Sequence, residues 1–321
     1  MDHGVETIGL VLHPRKPVGE SITTIVRWAE AAGQPVLALD QDRDRVPPEV
    51  EVVSDDEFRR RVAGVVSLGG DGTMLGAMRL VADRPVPVLG VNHGNLGFLV
   101  EVTPSGLEAA LARLADGDFT VEQHGCLVAE TSGPDELSTG YGFNDVVLAR
   151  LGRTGAVSID LAVNDLRYGY YKCDAVVLAT PNGSTAYNYA AGGPILSPSA
   201  ACTVIAPVAP MAGIGRAVVL GAGDVVSLTV AEDSAPVAVD VDGTAAGELK
   251  PGDVLTARMR VDAAEVVRLD ASAHAGRSRV KLSLLDLPLR RDQLLELIPA
   301  ELRQEAAELN ARRSGAEGPL G

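Results

Sequence analysis

Aromatic residues are scarce: they make up 3% of the 321-residue chain, with a single tryptophan. An interior with few rings must be filled by small aliphatic side chains, and hydrophobic residues reach 46% of the total. That share is too high for a disordered chain and fits a tightly packed α/β protein rich in Val and Ala. Cysteine is scarce too. Cys126, Cys173 and Cys202 are odd in number, far apart and form no C-x-x-C pair, which argues for reduced thiols and against a disulfide framework. The five histidines, at 3, 13, 93, 124 and 274, fall in no metal-ligand spacing, so no protein-borne metal site is expected. No apolar run approaches the ~18 residues of a membrane span. Met1 to Glu6 is acidic and lacks an apolar signal core, so a cytoplasmic location without membrane contact is expected. Basic residues are outnumbered, 28 against 43 acidic ones, for a net charge of −15. Wrapping nucleic acid needs clustered Lys and Arg, so that role is excluded; a small phosphorylated ligand needs only a local pocket.

Against these absences stands one stretch, residues 67–75, Ser-Leu-Gly-Gly-Asp-Gly-Thr-Met-Leu. Residues 62–68 upstream are a short apolar run that reads as a buried parallel strand. Met74, Leu75, Ala77, Met78 and Leu80 downstream suit the buried face of a helix. Gly69, Gly70 and Gly72 therefore sit at a strand-to-helix turn, where backbone N–H groups and the helix dipole favour phosphate. Asp71 in that place would repel phosphate, unless it handles a hydroxyl beside the phosphates or helps to hold a metal. The plainer reading, a helix cap on a tight turn, stays open at this point.

The first part of the chain alternates strands and helices. Residues 7–13 and 35–39 read as strands, with a helix between them that starts at Ser21 and stops at Gly33. Arg15 and Lys16 follow the first strand and are candidates for a phosphate, or simply a solvated turn. Residues 40–61 read as a charged loop with one helical turn at 54–61. Residues 86–91 form another strand, leading into a second glycine-rich turn with Asn92, and a helix capped by Thr103-Pro104-Ser105 follows. From about Phe119 short β-like runs take over: 119–131, 140–151, 155–163, 174–180, 201–206, 217–220, 225–231, 236–241, 253–260 and 264–270. The organisation expected is an α/β domain with a parallel sheet over 1–120, a β-rich domain over 121–280, and a helical tail over 281–321. Residues 282–312 of that tail read as helical and 314–321 as disordered.

Three motifs mark the β-rich part. Asn144-Asp145 leads an apolar strand; an amide can pair with a base edge and a carboxylate accepts from ribose hydroxyls, though an Asx turn explains the pair equally. Residues 180–187, Thr-Pro-Asn-Gly-Ser-Thr-Ala-Tyr, cluster small hydroxyls, and Gly192-Gly193-Pro194-Ile195 follows. Asp242-Gly243 ends a strand in a hairpin signature.

Taken in order, Gly-Gly-Asp-Gly-Thr, G-V-N-x-G-x-L-G-F-L at 90–99, Asn-Asp at 144–145, T-P-x-G-S-T-A-Y at 180–187, G-G-P-I and Asp-Gly at 242–243 resemble the NAD kinase family over residues 62–270. The resemblance implies a two-domain fold, α/β then β-rich, and phosphorylation of the 2′-hydroxyl of the adenosine ribose of NAD. It implies ATP or polyphosphate as donor, a divalent metal such as Mg²⁺, and homodimers or homotetramers. Carried over, Asp71 is the general base, and Gly70, Gly72 and Thr73 line the phosphates. Asn92, Asn144, Asp145, Lys172, Asp174, Thr180, Ser184, Ala186, Tyr187 and Asp242 belong to the nucleotide-binding set. Lys172 stands where the family usually has Arg, which keeps the charge and loses the bidentate fork. Asn182 replaces the usual Thr, Ala175 the usual Gly, and Met211 a frequent His, while His124 stands where Arg is common. These departures leave two alternatives: a kinase of this fold with another acceptor (NADH, a nucleoside or a specialised metabolite), and a non-catalytic dinucleotide-binding regulator.

Overall fold

The computed structural model describes residues 5–94, 97–132, 140–152 and 155–270. The tail expected to be helical at 282–312 and disordered at 314–321 lies outside the described residues, as do Asn95 and Leu96 of the second glycine-rich turn. Contacts divide the chain into two units, the larger of which ends at Leu269.

Five strands open the chain: β1 (Ile8–Leu12), β2 (Val36–Leu39), β3 (Glu51–Val53), β4 (Gly64–Gly69) and β5 (Pro87–Asn92). They pair in parallel in the order 3-2-1-4-5. β1, β2 and β4 are buried at every residue, which is why they read as continuous apolar runs. Four helices connect or flank them: α1 (Gly19–Ala32), α2 (Asp55–Arg61), α3 (Asp71–Leu80) and α4 (Leu107–Ala115). Gly33 ends α1 in the left-handed region at φ 67°. Ser54 caps α2 by accepting from the Glu57 N–H, with acids in its first turn and three arginines in its last.

The second part is almost all strand: β6 (Thr120–Thr131), β7 (Gly140–Gly142), β8 (Asp145–Arg150), β9 (Val157–Val163), β10 (Leu166–Cys173), β11 (Ala175–Ala179), β12 (Cys202–Val208), β13 (Ala212–Gly213), β14 (Val218–Gly221), β15 (Val225–Val230), β16 (Val237–Val241), β17 (Thr244–Leu249) and β18 (Val254–Arg268), with a short helix α5 (Tyr187–Ala190). β14-β12-β11-β8-β16-β17 form an antiparallel sheet. β13-β10-β9-β15-β18 continue the parallel sheet, because Glu265 and Val266 of β18 pair in parallel with β5. β9 and β16 alternate buried and half-buried residues, the pattern of strands with one face on the core. That core, including Leu148, Ile159, Val176 and Val239, lies between the two sheets.

Several expectations need correction. Residues 40–61 hold more than a loop: a 3₁₀ helix, Asp40–Arg45, and the short edge strand β3. Ser21 does not cap α1, which begins at Gly19; it is buried inside the helix with its hydroxyl 3.1 Å from His93 Nε2. Residues 253–260 and 264–270 are one strand, β18, with an irregularity between Arg260 and Ala264. β10 escaped notice because its run, L-R-Y-G-Y-Y-K-C, neither alternates nor stays apolar; Gly169 marks a register shift at φ 154°.

Gly9, the second residue of β1, faces the ring of Phe58, which is fully buried. A Cβ at Gly9 would overlap that ring and stand 2.6 Å from Val62 Cγ1. We expect Gly9→Ala to destabilise the fold by about 1–3 kcal/mol in chemical denaturation.

Candidate active site

The order of the parallel sheet reverses between β1 and β4, and both strands end at the same edge. A crevice opens there in sheets of this kind. β1 runs out into His13-Pro14-Arg15-Lys16, and β4 into the Gly69-Gly70-Asp71 turn that starts α3. Between them lies a cavity of about 1060 Å³, lined on one side by Gly70, Gly72 and Thr73 and on the other by Arg15, Lys16 and Arg45. Gly70 is the residue before α3, so the free N–H groups of the first turn belong to the cavity wall. Thr73 Oγ1 is buried and has no hydrogen-bond partner among the described residues. Gly69 is required beneath it, since a Cβ there would collide with the Thr73 side chain.

The cation cluster is held by its own contacts. His13 Nδ1 accepts from the N–H groups of Arg15 (3.1 Å) and Lys16 (3.0 Å), which closes the turn after β1. Burial, followed by the charges of Lys16, Arg15 and Arg45, depresses the His13 pKa, consistent with a neutral ring that accepts at Nδ1. Arg45 donates to His13 O at 2.7 Å and pairs with Asp42 at 2.9 Å. Arg45 was invisible in the sequence because Asp40–Arg45 reads D-Q-D-R-D-R, a solvated charge run.

Asp71 is half-buried, and its Oδ1 accepts the Leu99 N–H at 3.0 Å. The second glycine-rich turn is tied to the first, because the His93 N–H donates to Gly69 O at 2.7 Å. Asn92 spends its Oδ1 on the Gly94 N–H within that turn and does not line the cavity.

A second cavity, about 410 Å³, is lined by Asn144, Asp145, Ala186, Tyr187, Asp240 and Asp242. Gly243 lines both cavities, so the two adjoin at the β16–β17 hairpin. Asp242 and Gly243 both have positive φ, 48° and 73°, as a tight hairpin turn demands. The Asp242 side chain is fully buried and accepts from the backbone N–H groups of Phe143 (3.0 Å), Asn144 (2.6 Å) and Asp145 (3.1 Å), with Arg79 of α3 at 3.3 Å. Asp242 thus anchors the Asn144-Asp145 pair. Arg79, which sequence reasoning missed, lies eight residues along α3 from Asp71 and carried no signal of its own.

The hydroxyl-rich turn is also largely committed to itself. Thr180 Oγ1 donates to Phe143 O (2.6 Å) and accepts from the Gly183 N–H (3.0 Å). Ser184 Oγ donates to Pro181 O (2.6 Å) and accepts from the Leu196 N–H (3.0 Å). These two residues shape the turn that presents Ala186 and Tyr187. Lys172 and Asp174 line neither cavity: Lys172 pairs with Ala212 on β13, and Asp174 is salt-bridged to Arg150 at 3.2 Å. Two departures from the family pattern meet each other, with Asn182 Nδ2 2.7 Å from His124 Nδ1.

A dipole-primed glycine turn at a sheet switch point, next to a cavity rimmed with carboxylate and amide groups, defines a nucleotide-using phosphotransferase. Comparison with known proteins narrows the class. Residues 9–119 match the ATP-NAD kinase N-terminal domain and residues 143–269 the ATP-NAD kinase C-terminal domain. NAD kinase 1 of Streptomyces avermitilis is 32% identical over 88% of this chain and 89% of its own. NAD kinase of Heliobacterium modesticaldum is 34% identical over 82% of this chain and 93% of its own. Among solved structures, yeast NADH kinase in complex with NADH superposes with a TM-score of 0.77 at 20% identity, covering 90% of each chain. The Archaeoglobus fulgidus NAD kinase in complex with ATP gives 0.63 at 21% identity, covering 87% of this chain and 98% of that one. The chain belongs to the NAD kinase family. It is an enzyme, a kinase that acts on NAD.

Asp145 carries the clearest pH consequence. Burial first, then the nearby Asp242, push its carboxyl up to about 7 from an ordinary value of 3.8. The folded state therefore holds this proton between those values while the unfolded chain releases it, so stability falls as pH rises across that window. Asp145→Asn should remove the loss. Its thermal midpoint should match the parent near pH 4 and lie above it at pH 8, the stability difference being at most about 4 kcal/mol at about 1.4 kcal/mol per pH unit. Thermal scans of both proteins across that range test it.

Proposed function

We propose that this kinase transfers the γ-phosphoryl group of ATP to the 2′-hydroxyl of the adenosine ribose of NAD, giving NADP, with Asp71 as general base. The observation that carries the reading is the adjacency of two unlike cavities. One is built on a helix N-terminus and gathers Arg15, Lys16 and Arg45 against Asp42 and Asp55, which suits a polyanionic donor; the other is rimmed by Asn144 and Asp145, which suits a nucleoside acceptor. Gly70 and Gly72, on either side of Asp71 in the chain, line the donor side; Asp71 itself is in neither lining, and its Oδ1 accepts from the Leu99 N–H beside that wall.

In the step itself the acceptor oxygen forms a bond to the γ-phosphorus as its proton passes to the Asp71 carboxylate, and the bond from that phosphorus to the β–γ bridging oxygen breaks to release ADP. Such transfer depends on positioning and charge neutralisation more than on covalent help. Arg15 and Lys16, candidates from the sequence, and Arg45, which the sequence did not flag, supply the cations. Among the described residues no three metal-binding side chains converge. A divalent ion such as Mg²⁺, if bound with the donor, would supply charge neutralisation at the phosphates beside Gly70, Gly72 and Thr73.

Asp71→Asn keeps the hydrogen-bond acceptor for Leu99 and removes the base. It should lower NADP formation by about 10²–10⁴-fold, measured by mass spectrometry with NAD or NADH as acceptor. NAD affinity by calorimetry should stay within about threefold. Turnover that survives the substitution overturns the role of Asp71. A protein that binds dinucleotide without any turnover is a regulator instead, and one that consumes ATP only with another hydroxyl compound has a different acceptor.

A further inference from the structure

Leu99 is held on both sides of its backbone. Its N–H donates to Asp71 Oδ1 at 3.0 Å, and its carbonyl accepts from Arg268 Nη1 at 3.0 Å. Arg268 ends β18 and is buried, as is Glu101, whose Oε2 is 3.4 Å from Arg268 Nη1. Its Nε donates to Glu122 Oε2 at 2.6 Å. The other oxygen of Glu122 lies 3.2 Å from Nε2 of the buried His124, a close contact outside hydrogen-bond geometry. His124 Nδ1 in turn is 2.7 Å from Asn182 Nδ2. Asn182 opens the 3₁₀ turn Asn182–Thr185, directly ahead of Ala186 and Tyr187 on the wall of the second cavity. A continuous chain of polar contacts thus runs from the acceptor-side turn to the carboxylate of Asp71.

We propose that His124 and Asn182 are positioning residues for phosphoryl transfer, which set Asp71 through Glu122, Arg268 and the Leu99 peptide. The inference rests on Asp71 being the base. The Arg268 links to Glu122 and to the Leu99 carbonyl are of a kind that transmits position, and the Glu122–His124 contact joins them by proximity. Charge-assisted hydrogen bonds are short and directional, and a buried arginine between two carboxylates has few alternative arrangements. Glu122 is ionised throughout the working range: burial opposes its charge, but His124 and Arg268 outweigh burial and hold the carboxyl down at about 2. The chain helps to orient the base when the turn that carries Ala186 and Tyr187 is in its place. Orientation of a reacting group is worth large factors in rate, so a loosened chain should cost turnover and leave binding alone.

The test compares Asn182→Ala, His124→Leu and His124→Gln with Asp71→Asn, reading kcat, both KM values, and hydrogen exchange at the Leu99 amide by mass spectrometry. Asn182→Ala and His124→Leu should each lower kcat about tenfold with both KM values within about twofold, and should speed exchange at Leu99. His124→Gln keeps an N–H for Glu122 and should recover at least about half of the loss on a logarithmic scale. If loss of His124 prevents folding, Asn182→Ala, at the half-buried outer end, and His124→Gln carry the comparison. A raised KM for the acceptor with kcat unchanged would make Asn182 a pocket-shaping residue and sink the proposal. So would unchanged exchange at Leu99. Asp71→Asn separates the two readings: if it abolishes turnover while Asn182→Ala leaves kcat intact, the positioning chain fails alone; if it leaves turnover intact, the base assignment fails.

Discussion

A single buried carboxylate, Asp242, holds the site together. It accepts three consecutive backbone N–H groups, from Phe143, Asn144 and Asp145, and faces the Arg79 guanidinium. An isolated charge with no exposed surface would be costly to bury; three N–H donors and a cation offset part of that cost, and burial still holds the Asp242 pKa above its ordinary value. The geometry this imposes is extensive. It places Asn144 and Asp145 on the rim of the acceptor cavity, draws the end of α3 toward the β16–β17 hairpin, and leaves Gly243 next to it at the boundary of both cavities. Because α3 begins at Asp71, one helix joins the anchor to the proposed base. The same burial acts on its neighbour: a carboxylate at 242 is one of the reasons Asp145 titrates so high.

The donor side answers a different constraint. A chain with a net charge of −15 must still receive a polyanion. It does so locally, with the N–H groups at the start of α3 and with Arg15, Lys16 and Arg45 gathered around the end of β1. His13 serves the cluster as a neutral hydrogen-bond acceptor and adds no charge to it. The long-range field of the protein therefore repels the donor while the cavity attracts it, so affinity must come from short-range contacts inside the pocket.

Much of this was legible in the residues. β1, β2 and β4 announce themselves as unbroken apolar runs because parallel strands covered on both faces have no exposed side to make polar. The Gly-Gly-Asp-Gly-Thr turn and the Asp-Gly hairpin are read from backbone requirements that only a few residue types meet. The parts that were missed depend on partners distant in sequence. Arg45 sits in a charge run indistinguishable from a solvated loop until His13 O, 32 positions away, is seen to accept from it. Arg79 looks like a basic residue near a helix end, and its partner is 163 positions on. β10 has no alternation because Gly169 shifts its register. Thr180 and Ser184 have the chemistry of ligand-binding hydroxyls, and composition alone does not say that Phe143 O and Pro181 O have already engaged them.

That engagement explains how a site assembled largely from turns can be specific. Turns are mobile unless their polar groups are tied down. Here Thr180, Ser184 and Asn92 spend their side chains on local backbone, and Gly183 packs so closely on the Asn144 carbonyl that a Cβ would overlap it. The glycines of both motifs thus serve the approach of chain to chain as much as the approach of a ligand. The buried hydroxyl of Thr73, facing no partner among the described residues, is then informative by contrast. Thr180 and Ser184 have their hydroxyls engaged, whereas those of Ser67 in β4 and Thr73 at the start of α3 have no partner among the described residues. Phosphoryl transfer asks little of an enzyme beyond such fixed placement of donors, cations and one base, and the internal hydrogen bonding of these turns is what supplies it.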